Sequence, residues 1–232
     1  MELDILEKRL DDLEKKIAKA EAVISIVKDI NLYELYFQGA DCNGITKAVD
    51  WDAPGVSIEA GMGGKSVGAR PNLEFFDQRP ALARMPGALV QHESVTQLVE
   101  VADDLETAQV IDFCPGYKCL ALGKSQVWSM GKYYHDMIRQ KDGSYKIWHG
   151  HWFVVVEADA ALGWLHQNRS YWKECMFSEL DSIHNSNVTV PMVLTEYGDN
   201  YRADGYLYMY PEPPDPYSSF SESSDMKRTR EY

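Results

Sequence analysis

The chain has 232 residues, of which 23 are basic and 36 acidic, so its formal net charge is −13. With 45% hydrophobic and 25% charged residues, its composition is that of a folded globular protein rather than a disordered chain. An acidic chain repels nucleic-acid phosphates and anionic membrane surfaces, which argues against both as partners. No apolar run approaches the roughly 20 residues that are needed to cross a bilayer.

The cysteines and the N-terminus favour a cytoplasmic protein. The first 16 residues are charged throughout and lack the apolar stretch of a signal peptide. The cysteines form no Cys-x-x-Cys pair, which fits reduced thiols better than a disulfide framework or a zinc knuckle; they are Cys42, Cys114, Cys119 and Cys175. The sequence also lacks the motifs GxxxxGK[ST], HExxH and GxSxG of nucleotide-binding proteins, zinc proteases and serine hydrolases.

A heptad repeat occupies the start of the chain. Its apolar residues recur at alternating spacings of three and four, and they are Leu3, Leu6, Leu10, Leu13, Ile17, Ala20, Ile24 and Val27. This a/d seam is narrower than the apolar stripe of a globular surface helix, and charged residues flank it. Residues 1–28 are therefore predicted to form a coiled-coil helix that makes the protein a homodimer or homotrimer. The alternative is an amphipathic helix that lies on its own domain.

The rest of the chain predicts an α+β fold. The first helix continues to Gly39, and two further helices are predicted at residues 45–51 and 72–84, with a strand and a glycine-rich bend between them at 56–64. Four long antiparallel strands follow, at residues 88–101, 105–113, 125–140 and 145–156. Helices followed by strands predict a curved antiparallel sheet that packs against the helices and encloses a pocket.

Two segments have less regular patterns. The sequence Cys114-Pro115-Gly116 is expected to break the second long strand. Residues 158–232 are predicted to be a C-terminal extension that is partly extended or disordered, and residues 166–180 within it are compatible with a helix.

Two stretches of the chain resemble a known family. They are HESVTQLVEVADDLETAQVIDFCPG (92–116) and WSMGKYYHDMIRQKDGSYKIWHGHWF (128–153), and both are similar to the SnoaL-like branch of the nuclear-transport-factor-2-like (NTF2-like) superfamily. The resemblance covers roughly residues 22–157, and it implies a cystatin-like α+β barrel whose cone encloses a pocket. Dehydratases, isomerases, polyketide cyclases and binding proteins share this scaffold, so the fold alone does not define the reaction.

The nearest pattern within that superfamily is the bile-acid dehydratase and scytalone dehydratase type. It implies that His92 is the general base and acid, that Asp41 orients it, and that Tyr36 donates a hydrogen bond to the substrate. Elimination next to a carbonyl requires removal of a proton and protonation of the departing hydroxyl, and a single imidazole can do both in turn. Some members carry an arginine on the last strand, whereas this chain has Val154 and Val155 near that place.

Each of these residues also has a purely structural interpretation. His92 could be a hydrogen-bonded strand histidine, Asp41 a helix cap, and Tyr36 a core residue. Asp112 is an acid within an apolar strand, and because related cyclases use an acid in this region, it is the reserve candidate for the base.

Aromatic and imidazole side chains are predicted to form the wall of the pocket. Only one of Tyr133 and Tyr134 can face it, because side chains alternate along a strand. The substrate-binding candidates are Tyr134, Trp128, Phe113, His149 and Trp152. His149 and His151 share a face and could bind a metal together with His92 or His135, but no acid lies close on their strand, so no metal is predicted.

The sequence thus predicts a dehydratase or isomerase that uses His/Asp proton transfer and needs no cofactor. Its substrate would be a hydrophobic, oxygenated, ring-containing small molecule. Two alternatives remain open: a non-catalytic binding or assembly protein of the same fold, and a polyketide-type cyclase with Asp112 as base.

Overall fold

A computed structural model describes most of the N-terminal two thirds of the chain and a short C-terminal segment. The described residues are 2–39, 41–60, 65–69, 89–120, 125–166 and 213–218, together with Leu73, Gly87, Pro211 and Phe220. The helix predicted at 72–84 lies outside these residues except for Leu73, and the helix predicted at 166–180 lies outside them except for His166. No helix in the described part is long and apolar enough to span a membrane.

The first helix, α1, runs without interruption from Glu2 to Gln38. Its second half packs against the sheet through one face, whose buried residues are Ala22, Ile26, Ile30, Tyr33 and Phe37. Their spacings of four, four, three and four residues are those of a helix with one apolar face. The helix ends at Gly39, whose N–H donates to the carbonyl of Leu35 at 3.1 Å.

A second helix, α2, follows at Cys42–Ala48. It begins three residues before the predicted start because Asp41 caps it, accepting hydrogen bonds from the N–H groups of Asn43 (3.1 Å) and Gly44 (3.2 Å). It also ends earlier than predicted, since the backbone of Val49 is already extended and bridges Ile147.

Within the described residues, seven strands form one open sheet: β1 Ser57–Ala60, β2 Lys65–Val67, β3 Leu89–His92, β4 Val95–Val101, β5 Thr107–Leu120, β6 Ser125–Arg139 and β7 Tyr145–Asp159. Their order is β2-β1-β7-β6-β5-β3, and β4 also pairs with β5. The sheet is mixed rather than purely antiparallel, because β1 runs parallel to β7. The long β6–β7 hairpin is confirmed, with β7 extending to Asp159.

The prediction that Cys114-Pro115-Gly116 ends a strand is wrong, because β5 continues to Leu120. The predicted strand 88–101 is instead divided into β3 and β4. The carbonyl of Pro115 accepts from the N–H of Glu93 at 3.2 Å, so the proline nitrogen also faces the break between β3 and β4. A proline is tolerated there because no strand requires its missing N–H.

The core lies between α1 and one side of the sheet, which we call the inner face. Side chains alternate across a strand, and the inner face comprises residues 108–118 of β5 with even numbers, residues 127–137 of β6 with odd numbers, and Trp152 of β7. The C-terminal segment 213–218 contacts the start of β5, where the hydroxyl of Thr107 donates to the carbonyl of Tyr217 at 2.5 Å.

Candidate active site

His92 is the last residue of β3, and both a strand and a helix fix its position. It pairs with Gly116 of β5, and its carbonyl accepts a hydrogen bond from the side-chain amide of Gln38 at the end of α1. Glycine at 116 allows this close approach, because a Cβ there would lie only 2.4 Å from the carbonyl oxygen of Gln91. His92 is therefore held at the junction of α1, β3 and β5.

The imidazole of His92 is buried on the inner face among aromatic rings. Its Nδ1 lies 2.8 Å from the hydroxyl oxygen of Tyr133, at hydrogen-bond distance. The ring of Phe37 stacks on it at 5.1 Å between centroids, and the ring of Trp152 lies 4.9 Å away. One ring nitrogen thus has a fixed partner, and flat apolar surfaces enclose the ring.

Tyr133 remains a neutral phenol at physiological pH. Burial raises its pKa well above the usual value of 10.0, and the nearby Glu34, Cys114, Tyr33 and Asp112 raise it further. A neutral hydroxyl can either donate to Nδ1 or accept from an Nδ1–H group. It can therefore serve both protonation states of the imidazole.

Asp112 is the acid of this site. It lies opposite Tyr133 in the β5–β6 ladder and is fully buried. Burial raises the pKa of its carboxyl to about 7, although the nearby side chain of Ser94 and backbone of Tyr133 partly oppose the shift. A carboxyl with a pKa near 7 can exchange protons at neutral pH, which an ordinary aspartate does not.

Further polar side chains are buried on the inner face. Burial lowers the pKa of His135 to about 3, so this imidazole is neutral, and it stacks on Tyr133 with 5.3 Å between ring centroids. At the far end of the face, the ammonium of Lys118 lies 2.6 Å from Glu157 and 4.2 Å from the centroid of the Trp152 ring. The inner face therefore combines aromatic surfaces with acid, base and hydroxyl groups.

Comparison with known proteins places the fold. No protein-family model and no curated protein matches the chain. Among solved structures, a proposed aromatic ring hydroxylase from Novosphingobium aromaticivorans is 18% identical, with a TM-score of 0.51 over 61% of this chain and 94% of that one. A proposed scytalone dehydratase from the same species is 10% identical, with a TM-score of 0.51 over 68% and 97% of the two chains. LinA is 14% identical, with a TM-score of 0.50 over 65% and 94%.

The chain has the NTF2-like fold. At these identities the likeness concerns the fold alone, and the predicted fold class is confirmed, except that the sheet is mixed and not closed.

Three of the predicted site residues lie on the inner face of this NTF2-like sheet: His92, Asp112 and Trp152. The other two candidates for catalysis lie elsewhere. Asp41 is exposed and caps α2, while Nδ1 of His92 contacts Tyr133, so the expected Asp41–His92 pair is not formed. Tyr36 packs its ring over α2, where a Cβ at Gly44 would come within 2.1 Å of it.

The remaining substrate-binding candidates lie on the opposite, outer face of the sheet. The hydroxyl of Tyr134 donates to Gln109 at 2.8 Å, and Nδ1 of His149 lies 2.8 Å from Asp136. Phe113 and Trp128 are partly exposed there. The alternation of side chains that brings Tyr133 to the inner face turns Tyr134 to the outer face. These four residues therefore lie on the side of the sheet opposite to His92 and Asp112.

Several buried residues on the inner face, or on α1 against it, were not among the predicted candidates, namely Tyr133, Tyr33, Glu34, Lys118 and Glu157. Alternation placed either Tyr133 or Tyr134 on this face without showing which, whereas Tyr33 had a signal of its own. It belongs to the helix face that the spacing from Ala22 to Phe37 defines, and it contacts Tyr133 edge-on with 6.3 Å between ring centroids.

The described residues contain no group of three or more potential metal ligands. His149 and His151 lie on the outer face beside Asp136 and Glu59, respectively. His92 and His135 lie on the inner face. The sheet therefore separates the histidines that a shared metal site would require.

Proposed function

We propose that this protein is a lyase or isomerase that transfers protons at His92 and Asp112. Its substrate is a hydrophobic, oxygenated, ring-containing small molecule. The observation that carries the proposal is the buried inner-face arrangement in which Tyr133 lies beside both groups. Its hydroxyl oxygen lies 2.8 Å from Nδ1 of His92, and the residue lies directly opposite Asp112 in the β5–β6 ladder.

His92 acts as the base in this proposal. To accept a proton at Nε2, the imidazole must keep its other proton on Nδ1, and the hydroxyl oxygen of Tyr133 accepts a hydrogen bond from that Nδ1–H. The same contact stabilises the imidazolium that forms. Tyr133 thereby takes the orienting role that the family resemblance implied for Asp41.

Asp112 acts as the acid. In dehydration, His92 removes the proton next to the carbonyl, and the C–H electron pair forms the new double bond as the C–O bond to the hydroxyl breaks. The proton of Asp112 leaves with that hydroxyl as water. A carboxyl with a pKa of about 7 holds a proton in about half of the molecules at neutral pH. Isomerisation uses the same groups, with the proton returned to another carbon.

The charges on the inner face favour an uncharged substrate. Among the described residues, the buried cation on this face is Lys118, and Glu157 pairs with it at 2.6 Å. Asp112 and the buried Glu34 add acidic groups. Anionic substrates would meet these acids in a buried site with a low effective dielectric constant, where repulsion between like charges is strong.

A second function, a polyketide-type cyclase, is supported by one observation. Asp112 rather than Asp41 is the acid on the inner face, and an ionised Asp112 could itself be the base. The two functions predict opposite pH dependence. If Asp112 is the acid, the rate falls as the pH rises through about 7, whereas it rises if Asp112 is the base.

The test is a screen of uncharged hydroxylated ring ketones and related ring alcohols with the wild type and His92→Ala. We expect at least one compound to be dehydrated or isomerised, and His92→Ala to lower kcat by about 10²- to 10⁴-fold. The matched control is His166→Ala, which removes an exposed imidazole from the turn after β7 and is expected to retain full activity. Turnover unchanged in His92→Ala would contradict the proposal, and tight binding of these compounds without turnover would favour a binding protein.

A further inference from the structure

The first half of α1 extends beyond the domain. Every residue from 3 to 17 is exposed, including large apolar side chains such as Leu3 (67%), Leu10 (56%) and Ile17 (56%). Fifteen helical residues without packing are only marginally stable in water. This stretch therefore requires a partner that covers its apolar side chains.

The domain itself does not use the heptad seam. The buried face of α1 begins at Ala22 and continues through Ile26 and Ile30, whereas Ile24, which belongs to the seam, is 70% exposed. The helix consequently carries two separate apolar faces. The second half packs one of them on the sheet, and the residues of the other are exposed from Leu3 to Ile24.

The charges beside the seam define the orientation of a partner. With Leu3 and Leu10 at a positions, Glu7 and Glu14 occupy e positions, and Arg9 and Lys16 occupy g positions. In a parallel, in-register pair each g residue meets the e residue of the next heptad, so Arg9 faces Glu14 of the second copy and Lys16 faces its Glu21. An antiparallel pair would place Arg9 beside Lys16 and Glu7 beside Glu14, with like charges together.

These side chains are available for such contacts. Within the part of the chain that the structure describes, Arg9, Glu14 and Lys16 are in no hydrogen bond or ion pair. The neighbouring Lys19, at an outward c position of the repeat, instead binds Asp103 of the domain at 2.7 Å. Lys19 thus lies beside the domain, whereas Arg9, Glu14 and Lys16 extend into solvent.

We propose that a second copy of this chain covers the seam, and that the two α1 helices form a parallel, in-register coiled coil over residues 3–20. Apolar a and d residues pack along the axis, and the pairs Arg9–Glu14 and Lys16–Glu21 join the two copies. The two domains then lie at the same end of the coiled coil, each with its own inner-face site.

The test is the mass in solution, measured by light scattering across a dilution series of the full chain. Arg9→Glu places two glutamates together in each Arg9–Glu14 pair, so we expect it to weaken association by about tenfold or more. The double variant Arg9→Glu/Glu14→Arg restores opposite charges and is expected to recover association. Lys8→Glu makes the same charge change at an outward f position and is expected to behave as the wild type.

Three results would overturn the proposal. One is a wild type that is monomeric at every soluble concentration. Another is a double variant that associates no better than Arg9→Glu, with helix content by circular dichroism unchanged in all variants. The third is stronger association of Arg9→Glu, which an antiparallel pair predicts because it removes the repulsion between Arg9 and Lys16.

Discussion

Asp112 lowers the stability of the folded protein when its carboxyl is ionised at this buried position in β5. A carboxyl that is buried in the sheet loses its hydration, and its pKa of about 7 measures that loss. A pKa near 7 rather than 3.8 corresponds to on the order of 4 kcal/mol at a pH where the group is ionised. A fold that retains such a cost beside a buried histidine–tyrosine pair has the features of a functional site.

The sign of this effect gives a prediction. The folded-state pKa lies above the unfolded one, so the contribution of Asp112 to stability is fully present below about pH 4 and is lost as the pH rises through about 7. Asp112→Asn keeps the shape but not the charge. We expect the variant to gain stability relative to the wild type by up to on the order of 4 kcal/mol between pH 4 and pH 8.5.

Urea denaturation of both proteins across this pH range measures the difference. Comparison with the wild type at each pH cancels the titration of the other acids. Asp52→Asn, which changes an exposed aspartate whose carboxyl is in no hydrogen bond or ion pair among the described residues, is the control and is expected to show a much smaller change. A stability difference between Asp112→Asn and the wild type that does not vary with pH would show that Asp112 ionises normally.

The faces of individual residues were the hardest feature to predict from the sequence. Alternation shows that Tyr133 and Tyr134 point in opposite directions, but not which of them points inward. The usual guide, a polar outer face, is missing, since aromatic residues such as Phe113 and Trp128 lie on the outer face. Both faces of β7 are also largely buried, and bulges in the β6–β7 ladder shift its register. Trp152 was therefore predicted together with His149, which lies on the other face.

At the scale of elements, regular patterns were predictable and their interruptions were not. The continuous apolar spacing of α1 and the alternation of the β6–β7 hairpin identified both elements. Pro115 indicated a break, but the break falls in the neighbouring chain segment between β3 and β4. The position of the break depends on how β3 and β4 pair with β5, and the local sequence around Pro115 does not show that pairing.

The junction of α1 and α2 gives a second prediction. Asp41 caps α2 through two backbone N–H groups, so Asp41→Ala is expected to lower the free energy of unfolding by about 1 kcal/mol. Asparagine caps helices equally well, so Asp41→Asn is expected to leave both stability and activity near those of the wild type. Thermal or urea unfolding together with turnover on a substrate from the screen provides the measurement. If Asp41 orients His92 instead, Asp41→Asn would lose activity to the extent that His92→Ala does.

At the scale of the whole molecule, α1 connects two functions. Its second half provides Tyr33 and Phe37 to the inner face, and its first half carries the exposed heptad seam through which we propose that two copies of the chain associate. The sequence contained both patterns, since the heptad residues and the residues from Ala22 to Phe37 follow different spacings along one helix. The NTF2-like fold places the second half against the sheet and leaves the first half outside the domain.

The inner face also accounts for the polar residues buried within the domain. An apolar interior would be more stable than one that contains Asp112, Glu34 and His135, because buried polar groups lose their hydration. Their positions on one side of the sheet, around Tyr133, are those that the proposed proton transfer requires.

The pH dependence of kcat/KM for the wild type and Asp112→Asn, on a substrate from the screen, tests the central claim most directly. This ratio reports the ionisation of the free protein, to which the pKa of about 7 applies. With Asp112 as the acid, the wild-type ratio falls above an inflection near pH 7, and Asp112→Asn has a much lower ratio without that inflection. An inflection near pH 7 that persists unchanged in an active Asp112→Asn would contradict the account.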